Sequence, residues 1–283
     1  MGVNLAIRPK GVWQIGLAKG NRLQDLQSEL SDSPLFEIGE LSRFNGCAAA
    51  DPFGIYRDGT WYVFFEMFLC DDPHAVIGVA SSRDLIGWSV LGVALRQPHH
   101  LSFPYVFEHD GDIFMMPESK KVRRVDLYRA YDFPFDWRLE KTVLRGRYMD
   151  ASIVANRGRY WLFSGWHSYW LRLFYSHSPL GPWKRHWQPF ARMYNKKDVR
   201  PGGRIVSIDG QLVRLAQDNQ RYYGHQLRAM QIKTLNRLSF SETPYQPLPV
   251  LCPDNVHWRN VGMHHLDLHA MDEGYIGFVD GFC

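Results

Sequence analysis

Three acidic residues lie at the openings or ends of a pattern that recurs along this chain of 283 residues. Asp51 and Asp150 each open a copy of the pattern, and Glu118 closes another. Cleavage of a glycosidic bond uses one carboxylic acid to protonate the leaving oxygen and a second carboxylate as base or nucleophile. A third carboxylate can keep the pKa of the acid high, because like charges resist joint ionisation. We therefore predict that Asp51 is the base, that Glu118 is the acid, and that Asp150 modulates the acid's pKa or accepts a sugar hydroxyl.

Further polar and aromatic side chains occupy the other openings and ends of the pattern. Buried carboxylates without partners are costly, so a cluster of them implies positive partners or a function. One aspartate at a strand start can instead cap a loop, so the prediction depends on the whole set. The residues predicted to line the substrate pocket are Glu66, Trp166, His167, Arg200, Arg204, Asp218, His264, His265 and Asp280. An arginine such as Arg200 at this place favours a substrate with an anionic group, such as a phosphate or carboxylate.

The pattern itself predicts the fold. Each copy has a short apolar run, a tight turn with a residue that tolerates positive φ, and a second, aromatic-rich run, as in DPFGIYRDGTWYVFFE from Asp51 to Glu66. This is the signature of a β-hairpin. The copies start roughly fifty to sixty residues apart, which is the period of a four-stranded propeller blade. The sequence therefore predicts an all-β, five-bladed β-propeller with blades starting near residues 51, 104, 150, 201 and 264.

A propeller also determines where these residues meet. The first strand of each blade lies near the axis, so its opening residue and the end of the second strand share one mouth of the central channel. The fifth copy ends after two strands, and residues 12–17 are expected to complete the last blade of a single domain over residues 1–283. Such closure removes two exposed strand edges. Leucines 23, 26 and 30 predict one short helix over residues 21–30.

Composition and motifs exclude several other classes of function. A net charge of +4, with His neutral, is too slight to indicate a nucleic-acid partner. The basic residues around Lys120 and Lys196 are expected to be solvated loop charges. No Walker loop, dinucleotide-binding glycine motif or nucleophile elbow occurs, so no cofactor is predicted. We expect a carbohydrate partner, no membrane span and, since no secretory signal is evident, a cytoplasmic location.

No metal site is predicted either. His265 and His269 are four residues apart, which on a strand only places them on one face. The four cysteines lack the spacing of metal ligands. His264 or His265 remains an alternative proton donor.

Two stretches of blade 1 and one of blade 3 resemble the five-bladed propeller glycosidases such as glycoside hydrolase family 43. They are ADPFGIYRDGTWYVFFE, VIGVASSRDLIGWSVLG (residues 76–92) and SHSPLGPW (residues 176–183). The resemblance implies that Asp51, in the opening Ala-Asp-Pro, is the general base. That family opens its second blade with a pKa-modulating Asp and its third with an acid Glu, where this chain has Phe103 and Asp150. The acid role of Glu118 therefore depends on its place at a strand end.

The chain as a whole is more similar to the N-terminal propeller domain of plant glucosamine inositolphosphorylceramide transferases. Related bacterial domains occur beside sugar formyltransferases or in polysaccharide gene clusters. FPYVFEHDGDIFMMPES, DASIVANRGRYWLFSG and the closing VDG carry this resemblance, which covers residues 12–283. It implies a carbohydrate-active propeller: a glycoside hydrolase or related glycosyl-transferring enzyme. The alternative is a non-catalytic glycan-binding or scaffold propeller that assists a partner glycosyltransferase or formyltransferase. A protein-interaction propeller would instead show a large exposed apolar patch.

Overall fold

The computed structural model describes residues 11–167, 169–193 and 196–283. In this part of the chain the strands form five antiparallel sheets, and the first strands of successive blades pack against one another around an axis. The predicted five-bladed β-propeller is confirmed. Strand β1 (Trp13–Gly20) and helix α1 (Ile38–Leu41) precede the first blade.

Blades 1 and 2 each have four strands in sequential order. Blade 1 contains β2 (Gly46–Arg57), β3 (Thr60–Leu69), β4 (Val76–Ser82) and β5 (Ser89–Leu95). Blade 2 contains β6 (Ser102–His109), β7 (Asp112–Glu118), β8 (Arg124–Asp132) and β9 (Asp136–Arg145).

The later blades are less regular. Blade 3 contains β10 (Tyr148–Asn156), β11 (Arg159–Trp166), β12 (Trp170–Ser176) and two short outer strands, β13 (Lys184–Arg185) and β14 (Arg192–Met193). Blade 4 contains β15 (Arg200–Pro201), β16 (Val206–Ile208), β17 (Gln211–Asp218), β18 (Gln226–Leu235) and β19 (Phe240–Pro244). Blade 5 contains β20 (Leu266–Ala270), β21 (Tyr275–Phe282) and β1. Single 3-10 turns lie at Leu23–Asp25, Ser42–Phe44, Lys120–Val122 and His257–Arg259.

The N-terminal strand closes the ring, as predicted. It pairs antiparallel with β21 from Trp13 opposite Phe282 to Gly20 opposite Tyr275, so it covers residues 13–20 rather than 12–17. The chain then folds back along the outer edge of β1, where the Ser31 N–H donates to the Leu17 carbonyl at 2.8 Å. This irregular stretch covers the edge that a fourth strand would cover.

The helix predicted over residues 21–30 is wrong. Only Leu23–Asp25 forms a single 3-10 turn. Leu23, Leu26 and Leu30 are buried, but they pack into the apolar core between blades 4 and 5 instead of forming one face of a helix. The spacing of these leucines therefore reflects their burial against other parts of the chain and not a helix.

A β-bulge recurs at the opening residue of the first three blades. The pairing with the second strand shifts between Ala50 and Phe53, between Ser102 and Tyr105, and between Met149 and Ser152. The residues within these bulges, Asp51, Phe103 and Asp150, have φ values of 51°, 46° and 51°. Left-handed conformations cost residues other than glycine roughly 1–3 kcal/mol each and persist only where the surrounding structure enforces them. The bulge takes these three side chains out of the regular alternation of the strand.

The packing of β1 gives a direct test of the ring closure. A Cβ at Gly16 would lie 2.3 Å from Cη2 of Trp258, a buried ring that cannot move aside. Gly16→Ala should therefore lower the free energy of unfolding by about 1–3 kcal/mol in urea denaturation, as overpacking does. Gly39→Ala is the control, because nothing lies within 4 Å of a Cβ at that position. Equal stabilities of the two variants would contradict the packing of β1 on blade 5.

Candidate functional site

Residues from all five blades meet at the mouth of the axis where the first strands begin. This group, called the axial cluster below, consists of Asp51, Glu66, Glu118, Asp150, Arg200, His264 and Asp280. The sequence predicted every one of its members. Its carboxylates are almost entirely buried, so their charges must be balanced by the few cations beside them.

One half of the axial cluster is built around Arg200. The guanidinium binds the Asp150 carboxylate with two hydrogen bonds, from Nε to Oδ2 and from Nη2 to Oδ1 at 3.2 Å. Glu118 lies next to this pair: its Oε2 accepts the Asp150 N–H at 3.3 Å and is 3.9 Å from Arg200 Nη2. Gln217 also donates to Asp150 Oδ2, at 3.2 Å. Because Arg200 is bound to Asp150, its charge is less available to a substrate anion than the sequence predicted.

The other half is built around Asp280, on β21. Its Oδ1 accepts the backbone N–H groups of His264 and His265, each at 3.0 Å, and its Oδ2 is 2.7 Å from His264 Nδ1. His264 Nε2 in turn is 3.8 Å from Asp51 Oδ1. Asp51 Oδ2 accepts the Phe103 N–H at 3.2 Å, whereas Oδ1 has no hydrogen-bond partner. Asp51 is therefore held on one oxygen, and the other is buried beside His264 and His265 without a hydrogen bond.

Tyr223 joins the two halves at the surface of the mouth. Its hydroxyl is 3.1 Å from His264 Nε2, and the Arg200 guanidinium carbon is 5.2 Å from its ring centroid. The side chain is half exposed, so one face of the ring remains open to solvent. Aromatic faces of this kind pack on sugar rings and other flat apolar surfaces.

Burial and neighbouring charges separate the pKa values of the cluster. Burial raises the pKa of Asp51 well above its ordinary value, and the charges of Glu66, Asp280 and Asp150 add to this, against the opposing charge of His264. Burial and the charge of Asp150 likewise raise the pKa of Glu118 well above its ordinary value, although Arg200 opposes them. Asp51 and Glu118 therefore keep a proton to a higher pH than ordinary carboxyl groups.

The remaining groups form ion pairs. Burial on its own would lower the pKa of His264, but the charge and hydrogen bond of Asp280 outweigh it and raise that pKa. Burial would raise the pKa of Asp280, but His264 lowers it. In the same way, Asp150 outweighs the effect of burial and leaves the pKa of Arg200 raised well above its ordinary value. The axial cluster thus combines two ion pairs, two carboxyl groups of high pKa, and Glu66, which pairs with His100 outside the cluster.

His265 lies beneath this cluster. It is fully buried, with its ring edge-on to Phe53 and Phe103 at centroid distances of 4.7 and 5.3 Å. Burial lowers its pKa to about 4, so the imidazole is neutral at physiological pH. His265 Nδ1 is also 3.6 Å from Asp51 Oδ1. Because a neutral imidazole is a poor proton donor, His264 is the better donor of the two histidines.

The structure does not bring Asp218 into the cluster. Its Oδ2 accepts from Arg228 Nε at 2.7 Å and from Gln226 Nε2 at 2.9 Å, both in the same blade. Successive side chains of a strand point to opposite faces, and Gln217 faces Asp150. The sequence analysis therefore selected the neighbour of the residue that reaches the axis.

Trp166 and His167 lie one and two residues beyond the equivalent position in blade 3. Glu66 and Glu118 each pair with the residue just before their blade's opener, Ala50 and Ser102, and the residue at this place in blade 3 is Gly165, opposite Met149. One face of Trp166 is covered by Arg172, whose guanidinium carbon is 4.1 Å from the ring centroid. His167 is exposed, with φ of 52°.

Arg204 belongs to a second group farther along the channel. Its Nε donates to Asp267 Oδ1 at 2.8 Å, and its Nη2 donates to the Val106 carbonyl at 3.0 Å. Asp267 Oδ2 accepts the Gly54 N–H at 2.7 Å. These bonds connect blades 1, 2, 4 and 5, so Arg204 ties the inner strands together instead of lining the mouth.

Four residues around the cluster were missed. Trp13 stacks on His264 with centroids 4.3 Å apart, and His100 Nε2 is 2.9 Å from Glu66 Oε1. The other two are Gln217 and Tyr223. Tyr223 follows the second strand of blade 4 as Lys120 follows that of blade 2, so an alignment of the loops after each hairpin could have found it.

One set of side chains has the residue types of a cation site. Potential ligand atoms of Asp51, His264 and Asp280 all lie within 4.8 Å of one another, the one such set within the described ranges. His264 and Asp280 already satisfy each other at 2.7 Å. Their arrangement is that of an ion pair.

Taken with the fold, the axial cluster defines the chain as a five-bladed propeller with a charged, carboxylate-rich axial mouth. A sequence model described as "Glucosamine inositolphosphorylceramide transferase 1, N-terminal" matches residues 35–282. The chain belongs to this family. It is 38% identical over 246 residues to glucosamine inositolphosphorylceramide transferase 1 of Arabidopsis thaliana, an alignment that covers 82% of this chain and 32% of that protein. It therefore spans about a third of that relative's length.

Solved structures share the fold at low sequence identity. The catalytic domain of a family 62 α-L-arabinofuranosidase from Coprinopsis cinerea superposes with a TM-score of 0.61 at 14% identity, covering 84% of this chain and 92% of that one. A thermostable family 43 glycoside hydrolase gives 0.59 at 13% identity, covering 78% and 83%. Within the residues that the structure describes, no helix has the length and apolar character needed to cross a membrane.

The raised pKa of Glu118 predicts how stability depends on pH. The unfolded chain releases this proton at an ordinary carboxyl pKa, but the folded chain retains it, so folding becomes less favourable as the pH rises between the two values. Glu118→Gln has no proton to release. Its free energy of unfolding should therefore rise relative to wild type as the pH increases above the ordinary carboxyl pKa, measured by urea denaturation. Glu140→Gln, at an exposed site on β9, is the control. A difference independent of pH would refute the assignment.

Proposed function

We propose that the axial mouth binds a carbohydrate and breaks or transfers a glycosidic bond, with Glu118 as general acid and Asp51 as general base. The observation that carries this proposal is the pair of buried carboxyl groups with raised pKa, Asp51 and Glu118, in one cluster with the Asp150–Arg200 ion pair. Groups that exchange protons in catalysis work best when their pKa lies near the working pH. Carboxyl groups with only a structural role would not need burial beside other carboxylates, which raises their pKa.

Glu118 is suited to donate a proton. Its neighbour Asp150 binds Arg200 and accepts a hydrogen bond from Gln217. The charge of Asp150 adds to burial in raising the pKa of Glu118. Arg200 lies 3.9 Å from Glu118, close enough to stabilise the carboxylate that remains after the transfer. Asp150 acts here through its charge on the acid, which is the role that the sequence predicted.

Asp51 is suited to accept a proton. One of its oxygens is fixed by the Phe103 N–H across the blade boundary, and the other has no hydrogen-bond partner. Its raised pKa makes it a stronger base than an ordinary aspartate. The charge of His264, 3.8 Å from Asp51 Oδ1, opposes the rise of this pKa and so favours the ionised form. A water or a sugar hydroxyl at Asp51 Oδ1 would lose its proton to this oxygen.

The names of the relatives suggest the substrate class. They are named glucosamine inositolphosphorylceramide transferase 1, and this chain corresponds to about a third of their length. We therefore propose that the propeller acts on the sugar part of a glycoconjugate, beside a transferase domain or partner. Because Asp150 occupies Arg200, an anionic group of such a conjugate would lie at the rim of the mouth and not on Arg200.

One observation favours a second candidate, a propeller that binds glycans without catalysis. Both cations of the axial cluster, Arg200 and His264, are bound to its own carboxylates, so neither is free to act on a ligand. A sugar would then be held by hydrogen bonds to Asp51 and Glu118 and by the open face of Tyr223. Such a module would present the glycan to a separate transferase or formyltransferase.

Turnover of aryl glycosides and of nucleotide sugars distinguishes the two candidates. Glu118→Gln should lower kcat on substrates with poor leaving groups by roughly 10²–10⁴-fold and have less effect on activated aryl leaving groups, which need no protonation. Asp51→Asn should lower kcat on both kinds of substrate. The control is Asp110→Asn, an exposed residue in the hairpin of blade 2.

Sugar binding measured by calorimetry completes this experiment. Specific binding without turnover, weakened in Asp51→Asn and unchanged in Asp110→Asn, would replace the catalytic proposal by the glycan-binding one. Absence of both binding and turnover across a broad set of glycosides would remove both candidates.

A further inference from the structure

Four exposed cations lie together on the rim of the mouth in blade 2. Lys121 and Arg123 are in the loop that follows Glu118, and Arg145 and Arg147 flank the crossing from blade 2 to blade 3. The two segments touch: the Gly146 N–H donates to the Arg123 carbonyl at 2.8 Å. These four residues are called the basic rim below. They form one patch because this hydrogen bond joins two separate chain segments.

The charges of the basic rim are not paired with carboxylates within the part of the chain that the structure describes. None of its four residues forms an ion pair with any residue in the described ranges, although neighbouring Arg124 is paired with Asp126 at 2.5 Å. The loop is also well defined, since the Arg123 N–H donates to the Lys120 carbonyl at 3.0 Å and closes a 3-10 turn. The sequence analysis expected these charges to be solvated and without a role. Such charges would not need the hydrogen bond that connects the two segments.

The same side of the molecule continues as a mixed basic and aromatic surface. In blade 3, Lys196 Nζ lies 5.5 Å from the ring centroid of Tyr169, which is exposed. In blade 4, exposed Arg221 adjoins the half-exposed Tyr223. Val122, at the tip of the basic rim, is also exposed. Lysine and arginine around aromatic and small apolar tips are typical of surfaces that rest on the headgroups of a bilayer.

The hairpin turns at the opposite end of the propeller are acidic in four of the five blades, and blade 3 has Arg157 there. Asp58 and Asp110 have side chains that are 91% and 86% exposed. Asp209 and the pair Asp272 and Glu273 lie in the equivalent turns of blades 4 and 5, all exposed. An anionic surface would therefore attract the mouth and repel the far end, which defines one orientation.

We propose that the basic rim docks the propeller on an anionic lipid bilayer, with the axial mouth turned towards the headgroups. Each lysine or arginine near such a surface contributes about 1 kcal/mol, which is roughly a fivefold change in the partition coefficient. The four residues together should bind the propeller to an anionic membrane. This binding should be lost on a neutral membrane or in concentrated salt, which screens the charges. A sugar carried on a lipid would then reach the axial cluster directly. The docking itself does not depend on the axial chemistry.

Vesicle flotation of the full chain tests this docking. The vesicles are phosphatidylcholine alone and phosphatidylcholine with about 30% phosphatidylserine. The quadruple variant Lys121→Gln, Arg123→Gln, Arg145→Gln and Arg147→Gln should bind the anionic vesicles on the order of several hundredfold more weakly than wild type. All four sites are exposed, so the thermal unfolding of the variant should remain that of wild type.

A matched variant removes the same number of charges elsewhere: Arg83→Gln, Arg157→Gln, Lys184→Gln and Arg185→Gln, at exposed sites away from the mouth. It should bind within about fivefold of wild type. Glu118→Gln should bind as wild type does, which separates this test from that of the catalytic proposal. Equal binding to neutral and anionic vesicles, equal losses in the two quadruple variants, or binding to an anionic polysaccharide but not to vesicles would each overturn the proposal.

Discussion

The cost of burying carboxylates at a common axis is the constraint on which the rest of the site depends. Asp150 and Asp280 are tolerated because blade 4 supplies Arg200 and blade 5 supplies His264. Removal of either cation would leave a buried charge unpaired, which typically costs several kcal/mol. Asp51 and Glu118 have no such dedicated partner, and burial raises their pKa well above that of an ordinary carboxyl group. The division of the cluster into ion pairs and high-pKa acids follows from this shortage of cations.

The backbone supports the same arrangement. Asp51 and Asp150 take left-handed conformations in bulges that a regular strand would not contain. Phe103 has the same bulge but an apolar side chain, and its N–H binds Asp51. The left-handed bulge is therefore a shared feature of the first three blades, whereas the side chain at this position differs from blade to blade. Closure of the ring by β1 is what keeps these openers at one mouth, because Asp280 lies on the strand that β1 pairs with.

Much of this could be predicted from the sequence, because hairpin turns and apolar runs are local signals. The pattern predicted five blades, an N-terminal strand that closes them, and the carboxylates at the mouth. It could not predict which of two neighbouring residues faces the axis: Gln217 and not Asp218 reaches Asp150. A one-residue shift reverses the face of a side chain. The pairing of Arg200 with Asp150 depends on contacts between blades, and no local pattern encodes it.

The most direct measurement is a carbon-detected NMR titration of the Glu118 carboxyl group in wild type and in Asp150→Asn. The account predicts a Glu118 pKa well above that of an ordinary glutamate, and a lower value in the variant, where the negative neighbour is lost and Arg200 is free to pair with Glu118. An ordinary Glu118 pKa that is the same in both proteins would contradict the account.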